Sequence, residues 1–347
     1  MKQFSPNLRE WFSKGLSLVL LLTIISSGWL FFHSAPAGGW SGWHRFNFLA
    51  LGFAILALIG SWAIEGCRVL LIAAGLGEKI SFVKSFYINL AATFAGNITP
   101  FNSGGVPTQI YLLYKNGIHP TKASAVVTIR VIMSTLLFTT VAPLLMFFFT
   151  TKLPKGILHL VVTIAIPISC LLSVLIIVFM IKPKLAGDLI AFLIKLFHSK
   201  TINSKLQSWS EKILNELETF HESIKEFRKG IYFYLVIALT ILYWVCFFSI
   251  APLLMYAFGL NAAGEFLKVV LFQFILVFII AYLPIPGGSG VMELSSYSML
   301  VFVPIQLRAI FILLWRFLSY YMSTFIGGLI LLRLINRQVQ PSEGLQG

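Results

Sequence analysis

Two arginines lie deep inside apolar runs, Arg130 in VVTIRVIMSTLLF and Arg316 in FILLWRFLSYY. A guanidinium at membrane depth costs about 2.5–3.5 kcal/mol even on the milder insertion scales, so it is expected to face a cavity or a partner. Its planar fork matches two phosphate oxygens at once, and the chemistry it suggests is anion capture. The competing reading is structural: an internal ion pair with Glu65 or Glu293, or hydrogen bonds to nearby carbonyls. Both readings stay open on the sequence alone.

Two glycine-proline breaks are the second chemical feature, ITPFNSGGVP at 98–107 and LPIPGGSG at 283–290. Each precedes a short limb starting near Val106 or Val291. Unpaired N–H groups and the positive dipole end of such a limb favour an anion. Alternatively, the glycines serve close helix packing. The candidate substrate-binding residues are Arg130, Arg316, Asn97, Asn102, Gly104, Gly105, Gln109, Pro284, Pro286, Gly287, Gly288, Gly290 and Glu293. Asn97, Asn102 and Gln109 also suit a plainer duty, satisfying the backbone freed by a broken helix. Glu293 and Glu65 read as proton carriers or as arginine partners, and Arg68 at i+3 offers Glu65 a local ion pair. Cys67, Cys170 and Cys246 form no CxxC pair, and no HExxH, DxD, Walker or GxSxG pattern occurs in a supporting context. No catalytic centre, cofactor or metal site is expected, and the chain does not read as an enzyme.

The elements that must position these residues are membrane spans. Of 347 residues, 58% are hydrophobic and 11% charged, with mean hydropathy +0.89. Those values exclude a soluble enzyme, a disordered chain and a nucleic-acid reader, leaving an all-α polytopic membrane protein. A helix needs ~20 apolar residues to cross the hydrocarbon. Six runs qualify: 16–33, 46–76, 123–150, 157–181, 231–258 and 307–335. The basic N-terminus precedes an apolar stretch without a cleavage site directly behind it, and reads as a retained first span. The net charge of +14 follows the positive-inside rule: with the N-terminus inside, 19 Lys/Arg fall on the cytoplasmic side and 5 outside. That cytoplasmic set includes Arg68. Both termini are then cytoplasmic, and each broken region must return to the side it entered from.

The return limbs, Val106–Tyr114 and Val291–Val303, are too short to cross comfortably, which favours re-entrant hairpins over pairs of full spans. Six spans and two broken hairpins give about eight membrane segments in one transmembrane domain, 1–340. Residues 16–150 and 157–335 each read span, span, broken hairpin, span, in opposite orientation, an inverted repeat of the kind found in secondary transporters. Gly105-Val106 and Gly290-Val291 occupy the same place after the break. The polar segment 182–230 carries an apolar stripe of helical spacing over 203–229. It is expected to be a cytoplasmic amphipathic helix, able to lie on the membrane or to meet a soluble partner.

NLAATFAGNITPFNSGGVPTQIYLLYKNG followed by Arg130, and LPIPGGSGVMELSSYSML with Pro284, Pro286, Gly287, Gly288, Gly290 and Glu293, resemble the two signatures of the lysylphosphatidylglycerol synthase transmembrane-region family. The resemblance spans roughly 10–335. It implies a flippase-like plasma-membrane protein of a bacterium or archaeon that handles polar lipids through their phosphate headgroups. The aminoacyl-transferase domain of the longer members has no counterpart in this sequence. Where an acidic residue often follows the first glycines, this chain has Val106 and Gln109. Translocation of an anionic or otherwise polar phospholipid is the expected function. The alternative is an accessory or enzyme acting on polyprenyl-phosphate-linked sugars, and a homo-oligomer is compatible with either.

Overall fold

The computed structural model describes residues 46–149, 225–260, 262–280, 285–300 and 303–339, with scattered positions in 17–32 and 167–222. The segment 157–181 and the amphipathic stretch 203–229 lie almost wholly outside the described residues, as does Pro284.

All regular structure among the described residues is helical. In chain order the elements are α1 (Phe48–Gly75), α2 (Phe82–Asn97), a 3₁₀ turn (Pro100–Asn102), α3 (Gly105–Lys115), α4 (Pro120–Phe149), α5 (Ile231–Ala257) and α6 (Ala262–Ile280). A second 3₁₀ turn (Pro286–Gly288), α7 (Val291–Met299), α8 (Ile305–Arg316), a π turn (Phe317–Tyr321) and α9 (Met322–Val339) follow. Among the described residues four stretches are long and apolar enough to cross a membrane: Phe48–Gly75, Pro120–Val141, Ile231–Ala257 and Ile305–Leu334. They match the expected runs at 46–76, 123–150, 231–258 and 307–335. Residues 23–29 within the expected first run are helical.

The helix ends follow local chemistry. The Asn47 side chain accepts the N–H groups of Leu49 and Ala50 at 3.0 and 3.2 Å, opening α1. α1 closes where Gly77 takes φ +76 and the Glu78 N–H reaches back to Ala73 O at 2.9 Å. Ser81 caps α2 by accepting from Lys84 N.

The described chain forms two compact units. One takes residues to Cys67, Ser81–Leu112 and Ile241 onward; the other takes Arg68–Ile80 and Leu113–Thr240. The first holds an apolar core built on Leu58, Leu254, Phe272, Phe311, Ile312 and Trp315. Within it α2 packs along α9. The contact is close because the backbone of Gly327 meets the Leu90 carbonyl, and Gly328 meets the Phe94 ring. Side chains at either glycine would push the helices apart.

In the second unit Arg68 corrects an expectation. It is fully buried rather than lying at a membrane surface, and its Nη2 donates to Arg130 O at 3.1 Å and Ser134 Oγ at 3.0 Å. Its place is seven residues before the end of α1 at Gly75, so it does not act as a surface charge in the positive-inside balance. Removing it reduces the cytoplasmic set by one and leaves the asymmetry intact.

Candidate functional site

The two breaks adopt one local conformation. Thr99 and Ile285 are extended before them (φ −116, ψ 145 and φ −108, ψ 121), and Pro100 and Pro286 open the 3₁₀ turns. The next residue is left-handed in both, Phe101 at φ 54, ψ 19 and Gly287 at φ 58, ψ 12. Each turn closes with a serine N–H on the proline carbonyl at 3.1 Å, Ser103 to Pro100 and Ser289 to Pro286. From proline to the first residue of the limb the spacing is the same in both, Pro100 to Gly105 and Pro286 to Val291. The two tips touch, both within the first unit. The limbs that follow are 11 residues (α3) and 9 residues (α7) long. At 1.5 Å per residue they reach ~16 and ~13 Å, about half of a ~30 Å hydrocarbon layer.

Arg316 ends α8 beneath the second tip and is 3% exposed. Its Nε donates to Glu293 Oε1 at 2.9 Å and its Nη2 to Gly287 O at 3.2 Å. The guanidinium lies over the Tyr320 ring at 4.3 Å and nearer the edge of contact with Tyr321 at 5.6 Å. Glu293, 0% exposed, also accepts the Tyr321 hydroxyl on Oε1 at 2.9 Å and the Gly290 N–H on Oε2 at 2.7 Å. The anion at the N-terminus of α7 is therefore the chain's own carboxylate. Of the two structural partners considered for Arg316, the acid and the loop carbonyl, it has both.

Tyr320 joins the two breaks. Its ring rests on Gly287, where a Cβ would collide with it, and its hydroxyl donates to Asn97 O at 2.9 Å. Asn97 in turn donates from Nδ2 to Thr324 Oγ1 at 2.7 Å. The Asn97 carbonyl is thus satisfied by Tyr320, while the Asn97 side chain bonds a side chain on the helical stretch after Arg316. At the first break Thr99 Oγ1 sits 2.9 Å from the carbonyls of both Ala95 and Gly96 and accepts the Gly104 N–H at 2.8 Å. Asn102 is left-handed at φ 56, and its Oδ1 lies against Gly96.

The glycines have packing reasons. A Cβ on Gly104 would stand 2.6 Å from Ala95 O, and one on Gly105 3.2 Å from Ala92 O. Gly288 and Gly290 hold φ +62 and +86. Gln109 is buried, with Nε2 at a long 3.5 Å from Asn89 Oδ1. The tips differ in access: Phe101, Asn102 and Ser103 are exposed, whereas Pro286, Gly288, Ser289 and Glu293 are buried. Arg130 belongs to the second unit, beside Arg68. The structure thus brings Arg316, Glu293, Gly287, Gly290, Pro286, Asn97 and Asn102 into one neighbourhood. Tyr320, Tyr321, Thr99 and Thr324 complete it without having been singled out from the sequence. The available signal for the tyrosines was their position, one helical turn beyond a buried arginine.

The family profile described as "Lysylphosphatidylglycerol synthase TM region" matches residues 15–327. A "UPF0104 membrane protein" of Archaeoglobus fulgidus is 28% identical over 320 residues, covering 89% of this chain and 94% of the relative. The "UPF0104 membrane protein PH1989" of Pyrococcus horikoshii is 26% identical over 312 residues, covering 86% and 89%. No solved structure matches this chain. With its apolar helices and its two paired glycine-proline breaks, the chain is a membrane protein and belongs to the lysylphosphatidylglycerol synthase transmembrane-region family.

Proposed function

We propose that this protein translocates a phosphate-bearing lipid across the plasma membrane, with both termini in the cytoplasm. The observation that carries the reading is Arg316: a buried guanidinium bonded to the second of two touching broken-helix tips, with Nε and Nη2 engaged and no Nη1 bond among the described residues. A charge kept at such cost beside irregular backbone is the mark of an ion or substrate path. The uncommitted edge of the fork matches a phosphate.

In this reading α2–α3 and α6–α7 are counterpart re-entrant hairpins of an inverted repeat. Their shared turn conformation and half-bilayer limbs support it. The exposed Asn102 and Ser103 mark the side from which a headgroup enters, and the buried second tip is the closed side. Asn97, Asn102 and Gln109 line the approach. Translocation leaves every covalent bond of the lipid intact, so no catalytic group is called for.

The test is reconstitution into liposomes carrying tail-labelled fluorescent phosphatidylglycerol in one leaflet, with reduction of exposed label by dithionite. The protein is expected to accelerate exchange between leaflets over protein-free liposomes. Equal rates with and without protein, for phosphatidylglycerol and for other phosphate lipids, would contradict the proposal.

A further inference from the structure

Resting on that reading, we infer that Glu293 is a proton site coupled to substrate: lipid phosphate takes Arg316 from Glu293, and the abandoned carboxylate takes up a proton.

The geometry sets up a competition for one cation. Arg316 spends a single N–H on Glu293, through Nε, while Nη2 goes to the Gly287 carbonyl. The ion pair is thus monodentate, and a phosphate able to engage two N–H groups outbids it. Glu293 is entirely buried, so once Arg316 turns to a phosphate its negative charge has no counter-ion among the described residues. A buried carboxylate in that position neutralises rather than stays charged. Among the described residues the titratable groups in contact with it or its arginine are Arg316 on α8 and Tyr320 and Tyr321 in the π turn that follows; Arg308, also on α8, meets α7 one turn further on but is spent on Tyr297 O at 3.1 Å and Val303 O at 3.0 Å. On α6 the charged pair Glu265 and Lys268 bond to each other, with Lys268 largely exposed. None of these groups replaces Arg316 as a cation for Glu293.

A second observation lies on the same limb. Ser296, one turn beyond Glu293 on α7, is 0% exposed, and its Oγ has no hydrogen-bond partner among the described residues. Buried hydroxyls are ordinarily satisfied. This one offers unused donor and acceptor capacity next to the acid, as a relay requires. The step balances: one proton leaves water on the open side and adds to a Glu293 oxygen. Arg316 keeps its own proton throughout, and the lipid keeps its phosphate charge. Release of the lipid lets Arg316 return and expels the proton, so lipid and proton move in fixed ratio.

The experiment measures proton uptake by the detergent-solubilised full chain, in weak buffer with a pH dye. Short-chain phosphatidylglycerol or the simple diester dimethyl phosphate is added, and binding is followed in parallel by calorimetry. The expected result is uptake approaching one proton per phosphatidylglycerol bound, and none in Glu293→Gln, whose binding is tightened several-fold because the competitor has lost its charge. Binding by the wild-type protein without uptake would overturn the inference, and the wild-type arm decides this even if the variant fails to fold. Uptake that persists in a folded Glu293→Gln would overturn it too. Uptake with dimethyl phosphate and no binding of phosphatidylglycerol would support the exchange while removing the lipid reading. Binding of neither would remove both.

Discussion

Arg316 Nε donates to Glu293 Oε1 at 2.9 Å, and both side chains are buried beneath the second glycine-proline tip. Separating the partners tells structural from functional roles. Arg316→Ala strands Glu293, and truncating one member of a buried pair costs about 3–5 kcal/mol. Its melting temperature is expected to fall clearly. Adding Glu293→Gln to it should restore much of the loss, because neither charge of the pair then remains buried. A double variant as unstable as the single one would show that the pair is not what holds this region.

Tyr320→Phe isolates the bond between the breaks. It removes the donation to Asn97 O but keeps the ring against Gly287 and over Arg316. A cost of about 1 kcal/mol is expected. Tyr320→Ala loses the ring as well and should cost several times more. Equal melting temperatures for wild type and Tyr320→Phe would mean that the hydroxyl bond contributes nothing.

Gly287→Ala should be far more damaging than Gly117→Ala. Both positions have positive φ, +58 and +97, so each carries a backbone penalty of about 1–2 kcal/mol. At Gly117 nothing stands within 4 Å of the added methyl, whereas at Gly287 it runs into the Tyr320 ring. Thermal melts of the two variants check this. A Gly287→Ala protein as stable as Gly117→Ala would show that the tip has room to yield.

Topology is open to cysteine labelling in intact cells. With both termini inside and each hairpin returning to its own side, positions at Asn116 and Asn203 should label from the cytoplasm. Positions at Lys152 and Asn261 should label from outside. Asn116 and Lys152 on the same side would refute the proposed repeat.

The spans were legible because composition alone decides them: α1, α4, α5 and the α8–α9 rod fall within a few residues of the apolar runs. Arg316 was legible for the same reason, as a charge that an apolar run cannot ignore. Its pairing with Glu293 was one of two open alternatives, since a sequence gives spacing but not the rotation of one helix against another. Arg68 misled because a basic residue near the end of an apolar run looks like an interfacial anchor. Its burial against Arg130 O and Ser134 depends on tertiary packing 62 and 66 residues away. Tyr320 and Tyr321 were passed over because aromatic residues in membrane helices ordinarily serve as core or interfacial belt. The equivalence of Pro100-Phe101 with Pro286-Gly287 was also hidden, since phenylalanine does not advertise a left-handed backbone.

The central claim is that Arg316 holds a lipid phosphate by its fork, and Arg316→Lys in the liposome exchange assay tests it most directly. Lysine keeps the charge, and with it a partner for Glu293, but loses the planar pair of donors. Losing one charge-assisted hydrogen bond, about 1.5–3 kcal/mol, should slow lipid exchange roughly tenfold to a hundredfold in a protein whose melting temperature stays close to that of the wild type. Wild-type exchange rates in well-folded Arg316→Lys, and again in the Arg316→Ala, Glu293→Gln double variant, would contradict the account.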